Sequence, residues 1–188
     1  HMKKNIILIC LIFSGLIFGK GNFILKSEGI KNNIIEEKYG GKGSDNIKGV
    51  GSRSLPLEWS DPPKGTKSFV IIMEDRDAVP VTGFTWIHWS VADIEAEKRK
   101  LAENESRSNP DLIQGLNSWI SAMGGFTAEE ASFYGGPMPP DKDHKYRFVI
   151  YALDKKLDLK KGYYLNELYE KMEGHILGES VLEGIYKK

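Results

Sequence analysis

Three stretches of the chain gather apolar, β-branched and aromatic side chains between turn-forming residues. Ser68–Met73, Phe84–Val91 and Tyr146–Leu153 are each predicted to form a buried strand. Near the end, Leu165, Leu168, Tyr169, Met172 and Ile176 recur at helical spacing, which predicts an amphipathic helix. Leu177, Val181, Leu182 and Ile185 supply a second short apolar face, taken with it as part of a helical C-terminus. Between these segments the pattern is polar. Gly40–Gly51 is a glycine-rich loop, Glu95–Glu105 a charged, helix-compatible surface segment, and 115–136 a long glycine-dotted loop with one short helix at Ala128–Ser132. Strands first and helices late argue for a mainly β, antiparallel domain, sandwich-like, with peripheral and C-terminal helices.

The first residues follow a different rule. His1 is an expression scar. Met2, Lys3 and Lys4 form a positive start, and the apolar run Ile6–Phe18 is too short to span a bilayer easily. Gly19 and Gly21 offer a cleavage site, so residues 1–21 are expected to be scar plus signal peptide and 22–188 the exported domain, periplasmic or secreted. The full chain balances 26 basic against 26 acidic residues. Loss of Lys3, Lys4 and Lys20 would leave the domain mildly acidic. Cys10, the only cysteine, lies in the apolar run. Leu8 and Ile9 before it are too large for a lipoprotein signal, so the exported domain would hold no thiol and no disulfide.

Chemistry-bearing motifs are few. There is no basic stripe with interleaved aromatics, so nucleic acid is not an expected partner. GGKGS lacks the spacing and the leading strand of a phosphate loop. No G-x-S-x-G elbow, H-E-x-x-H or exported thiol is present, and neither enzymatic activity nor a cofactor is expected. What remains is a juxtaposition. Asp75 and Asp77 follow one strand, His88 sits inside the next, and His144 precedes the third behind the stiff GGPMPP loop. Alternation would put Trp86, His88 and Ser90 on one strand face and Ile87, Trp89 and Val91 on the other. Two histidines and a carboxylate at neighbouring strand mouths suit an anion, with neutral rings donating N–H and protonation near pH 6.5 tightening the grip. They suit a two-histidine, one-carboxylate metal centre equally well.

The ordered set DRDA, WIHW, GPMPPDKDHKYRF and GHILGESVLEGIY, with LPLEWSDPPKGTKSFVIIMEDRDA and QGLNS, resembles the phosphatidylethanolamine-binding protein family, in particular its bacterial Raf-kinase-inhibitor-like branch. The resemblance runs from about Asn22 to the end. It implies a β-sandwich-like fold and a small anion pocket for phosphate or a phospholipid headgroup. Carried over residue by residue, the ligand-binding positions are Asp75, Asp77, Trp86, His88, Gly136, Pro139, Pro140, His144 and Tyr146. Arg76, Val79 and Lys145 depart from the family pattern, so the pocket rim is expected to differ. The 118–134 insertion is a candidate lid. The expected function is an exported anion-binding protein. A regulator that binds another protein is the alternative, and a metal-dependent hydrolase a more distant one.

Overall fold

The computed structural model describes residues 22–188, so the expectations for the signal segment and Cys10 lie outside it. The four long strands are β7 (Ser68–Asp75), β8 (Trp86–Glu95), β11 (His144–Leu153) and β12 (Ile176–Tyr186). The short ones are β1 (Ile24–Lys26), β2 (Ile30–Lys31), β3 (Ile34–Ile35), β4 (Asn46–Ile47), β5 (Val50–Gly51), β6 (Leu57–Ser60), β9 (Lys100–Leu101) and β10 (Ile113–Gln114). They assemble into a seven-stranded sheet in the order β10-β8-β7-β11-β12-β3-β2, a three-stranded sheet β1-β6-β9, and the β4-β5 hairpin. Every pairing is antiparallel except β12 with β3.

The two larger sheets share one core. Leu25, Leu57, Trp59 and Leu101 from the small sheet meet Phe69, Ile71, Met73, Trp89, Tyr146, Phe148 and Ile150 from the large one. The opposite face of the large sheet carries Val70, Ile72 and Ala92, and the longest helix among the described residues covers it with Leu168 and Met172. Alternate residues of β7 therefore enter opposite cores, which is why its central residues are all buried. The result is the expected mainly β single domain with peripheral helices: α1 (Val79–Thr82), α2 (Glu105–Ser108), α3 (Ala128–Ala131) and α4 (Leu165–Met172).

Two predicted elements differ. The C-terminal helix stops at Met172 because the chain turns through Gly174 at φ 77°, a left-handed conformation that favours glycine. The second apolar face is strand, not helix. β12 pairs with β11 from His144↔Tyr186 to Leu153↔Ile176, and Gly178 and Gly184 weaken any helical competitor. An added Cβ at Gly184 would lie 2.8 Å from Ile35, so this glycine also sets how closely β12 approaches its neighbours. Glu95–Glu105 is not helical either. It ends β8, turns, and forms β9, whose Leu101 is fully buried opposite Leu57. Burial of one leucine outweighs the helical preference of the charged residues around it.

Candidate functional site

The site is built on one row of the large sheet. Tyr146 of β11 pairs with Asp75 of β7, and Asp75 pairs with Trp86 of β8. Register alone therefore sets three side chains next to one another, with His144 two residues before Tyr146 on the same face.

His88 shares that face with Trp86, as alternation predicts, but the register slips at this residue. Met73 pairs with Trp89 but Glu74 pairs with Ile87, so His88 is an extra, unpaired residue in β8. Beyond it the slip overturns the expected alternation. Trp89 and Val91 join the inter-sheet core, whereas Ser90 turns to the opposite face and hydrogen-bonds Tyr163. His88 packs edge-on against Tyr146 and Trp119, with ring centroids 5.0 and 4.9 Å away.

A cavity of about 200 Å³ opens above this row. Of the expected residues, Asp75, Trp86, His88, Pro140, His144 and Tyr146 line it. Asp77, Gly136 and Pro139 do not. The Asp77 carboxylate accepts the Lys145 N–H at 2.9 Å and so ties β11's mouth to the turn after β7. Gly136 donates its N–H to the Gly51 carbonyl at 2.7 Å, and Pro139 is buried behind the wall. Sequence reasoning missed Val81, Met138, Trp119 and Met123. The last two come from the 118–134 segment, so that insertion forms part of the pocket wall.

The two histidines are in opposite electrostatic states. His88 Nδ1 lies 2.6 Å from the Gly135 carbonyl, which can only accept, so Nδ1 carries the proton and Nε2 is the acceptor. Complete burial pushes this ring down to about 4, although the Gly135 carbonyl favours its charged form. His144 lies between two carboxylates: Nδ1 is 2.7 Å from Asp75 Oδ2 and Nε2 is 2.7 Å from Asp141 Oδ1. Burial works against its charge, but the two carboxylates outweigh burial and hold His144 above the ordinary imidazole value. With both partners ionised the ring must donate from both nitrogens, so the imidazolium is the form this pair of carboxylates favours. Asp75 is pushed up by burial and pulled back by His144, and its Oδ1 accepts the Ala78 N–H at 3.2 Å. Asp141, on the exposed loop, is held low by its hydrogen bond to His144.

The pocket thus presents one cationic donor at its mouth and one neutral acceptor inside. The expectation of two neutral donating rings does not match this geometry, because His88 has already spent its only proton on Gly135. Two more donors stand ready in the lining. Tyr146 Oη and Trp86 Nε1 are buried without a hydrogen-bond partner. No group of three or more His, Cys, Asp or Glu side chains among the described residues is placed to share a metal ion. His175 lies elsewhere, paired with Asp154 at 2.8 Å.

The contrast between the rings is directly measurable. In an NMR titration of the ring carbons, His144 should have its midpoint above pH 6.5 and His88 near 4. A His144 midpoint at or below 6.5 would show that the carboxylates do not hold the charge.

The family model described as phosphatidylethanolamine-binding protein matches residues 26–187. A protein of Bacillus subtilis is 42% identical over 156 residues, covering 81% of this chain and 93% of its own. A relative from Aquifex aeolicus is 35% identical over 184 residues, covering 95% and 97%. The crystal structure of a phosphatidylethanolamine-binding protein homologue from Chlamydia trachomatis superposes with a TM-score of 0.73 at 33% identity, covering 89% of this chain and 99% of that one.

Proposed function

The chain belongs to the phosphatidylethanolamine-binding protein family, and from that premise we propose that it is a binding protein, not an enzyme, whose pocket takes a phosphate-like anion. The observation that carries this reading is the His144 imidazolium. Its outer nitrogen is bonded only to Asp141, a carboxylate on an exposed loop. An incoming oxyanion replaces that carboxylate oxygen and keeps the charge-assisted bond. Tyr146 Oη lies in the same lining and still lacks a partner. His88 Nε2 accepts, so it suits the P–OH of a phosphate monoester, whose singly protonated form gains population below about pH 6.

Magnitudes favour a ligand larger than phosphate. Two or three charge-assisted bonds at about 1.5–3 kcal/mol each, less the cost of displacing Asp141, correspond to roughly millimolar binding of the free ion. Around the mouth, Val81, Met123 and Met138 are exposed, and Phe84 stacks on Trp86 at 5.6 Å. That apolar collar suits the body of a phosphate ester such as a phospholipid. The same collar favours a second reading, a protein partner whose acidic residue enters the pocket.

Calorimetric titration of residues 22–188 with phosphate and phosphoethanolamine at pH 6 and 8 tests the proposal. Binding should be tighter at pH 6, where the charged form of His144 is favoured for both ligands and phosphoethanolamine gains its singly protonated form. It should strengthen several-fold, up to about tenfold, in Asp141→Asn, which removes the competing charge. Absence of heat for both ligands at pH 6 in the wild type and in Asp141→Asn, with folding intact, would refute the anion reading.

The charged-then-apolar order of residues 2–18 supports export to the periplasm or the medium. N-terminal sequencing of protein recovered outside the cytoplasm should begin near Asn22. Recovery only from the cytoplasm with Met2 still near the start would overturn that part of the proposal.

A further inference from the structure

A second polar groove lies apart from the histidine pocket and shares no lining residue with it. It encloses about 610 Å³ between α2, α3 and the turn at 161–162, larger than the histidine pocket. Arg107 and Lys161 line it with Asn109, Phe133 and Glu129.

Arg107 is the unusual member. Its guanidinium sits 3.8 Å from the centre of the Phe133 ring, a face-on approach. Stacking engages the face of the guanidinium and leaves its terminal Nη–H donors available. The Nε–H is buried without an acceptor, and burial is the only influence on this side chain, lowering its basicity. Guanidinium groups at comparable burial are ordinarily matched by a carboxylate, since burying a charge unpaired is costly. Lys161 reaches the Pro110 carbonyl and forms no ion pair within the described residues. Glu129 is the single carboxylate in the lining, so two cations face one anion.

We infer that this groove is a second ligand site, for a small oxyanion that carries an apolar body. The guanidinium edge grips a carboxylate or phosphate in two parallel bonds, Lys161 adds a second positive charge, and Phe133, Leu112 and Pro110 wall the apolar part. The inference gives the 118–134 insertion a use beyond the first pocket. Its Trp119 and Met123 line one site, and its Ala128, Glu129, Ser132 and Phe133 line the other.

The test is an amide-resolved NMR titration of residues 22–188 with benzoate and with phenyl phosphate. Each site reports separately, the groove through Phe133, Lys161 and Gly162, the pocket through Lys145 and Tyr146. Saturable shifts are expected at the groove amides, weakening by about tenfold or more in Arg107→Met, which keeps the apolar stem over Phe133. Lys161→Met should weaken them less, and His144→Ala should leave them in place. The tighter probe identifies the head group as carboxylate or phosphate. Groove amides that do not saturate with either probe overturn the inference, as does an Arg107→Met affinity equal to the wild type. Shifts confined to Lys145 and Tyr146 would overturn it while leaving the pocket proposal standing.

Discussion

Gly136→Ala should be among the most destabilising single changes in the domain, lowering stability by about 3 kcal/mol and the melting temperature by roughly 6–12 °C. An added Cβ would clash with the Tyr39 carbonyl oxygen and lie 3.0 Å from Gly40 Cα and 3.1 Å from the Gly51 carbonyl oxygen. All three are backbone atoms, so no side chain can swing aside. The contact is pinned from both directions. Gly136 donates to the Gly51 carbonyl at 2.7 Å, and the Gly41 N–H donates to the Pro137 carbonyl at 2.8 Å. Shifting the loop breaks these bonds and moves Pro140 and Met138, two walls of the histidine pocket. Phosphoethanolamine affinity should therefore fall along with stability. Gly83→Ala is the control. Its φ of 89° strains an alanine, but nothing lies within 4 Å, so the loss should stay near 1 kcal/mol. Thermal unfolding of both variants decides it. Equal, small losses would show that the 136–140 loop yields easily and does not set the pocket.

That result would also explain why Gly136 was legible as a site residue but for another reason. The run of two glycines and three prolines announces a stiff loop, and stiffness is what the structure uses. The glycine admits close backbone packing, and of Gly136, Pro139 and Pro140, the loop positions expected in the site, only Pro140 reaches the cavity, beside Met138. Likewise the three central strands were legible, because β-branched and aromatic runs bury both faces whatever their neighbours. β12 was not. Its apolar residues acquire meaning only beside β11, and a pairing between distant segments leaves little local trace.

The register slip at His88 is the clearest case of information absent from local pattern. WIHW alternates perfectly on paper, and a one-residue bulge reverses the facing of the residues beyond it. The bulge is set by how β8 pairs with β7, so only the assembled sheet reveals that Trp86, His88 and Trp89 share a face. Asp141 is hidden for a simpler reason. It is an exposed acid in a loop, indistinguishable by sequence from Lys142 and Asp143 as ordinary surface charge, until its carboxylate is found on His144 Nε2.

His144→Gln should reduce phosphoethanolamine affinity by about tenfold or more at pH 6, because glutamine can donate a hydrogen bond but carries no charge. The same change exposes a structural role. Asp75 is 3% exposed and loses its cation, and breaking a largely buried pair costs about 2–4 kcal/mol. Burial already raises the Asp75 carboxyl, and without His144 only backbone N–H groups still pull it back. A carboxyl raised above its unfolded value favours folding at low pH, and that benefit is lost as pH rises through the folded value. The variant should therefore gain stability on acidification from pH 7 to 5. In the wild type the His144 contribution is complete below pH 6.5 and fades as pH climbs through its elevated value. The difference between the two proteins is accordingly widest near neutrality and narrows toward alkaline pH. Adding Asp75→Asn to His144→Gln removes the orphaned charge, so it should restore most of the stability and none of the affinity. Recovery of both would mean that the pair only shapes the pocket and that the ligand is held by something other than the imidazolium.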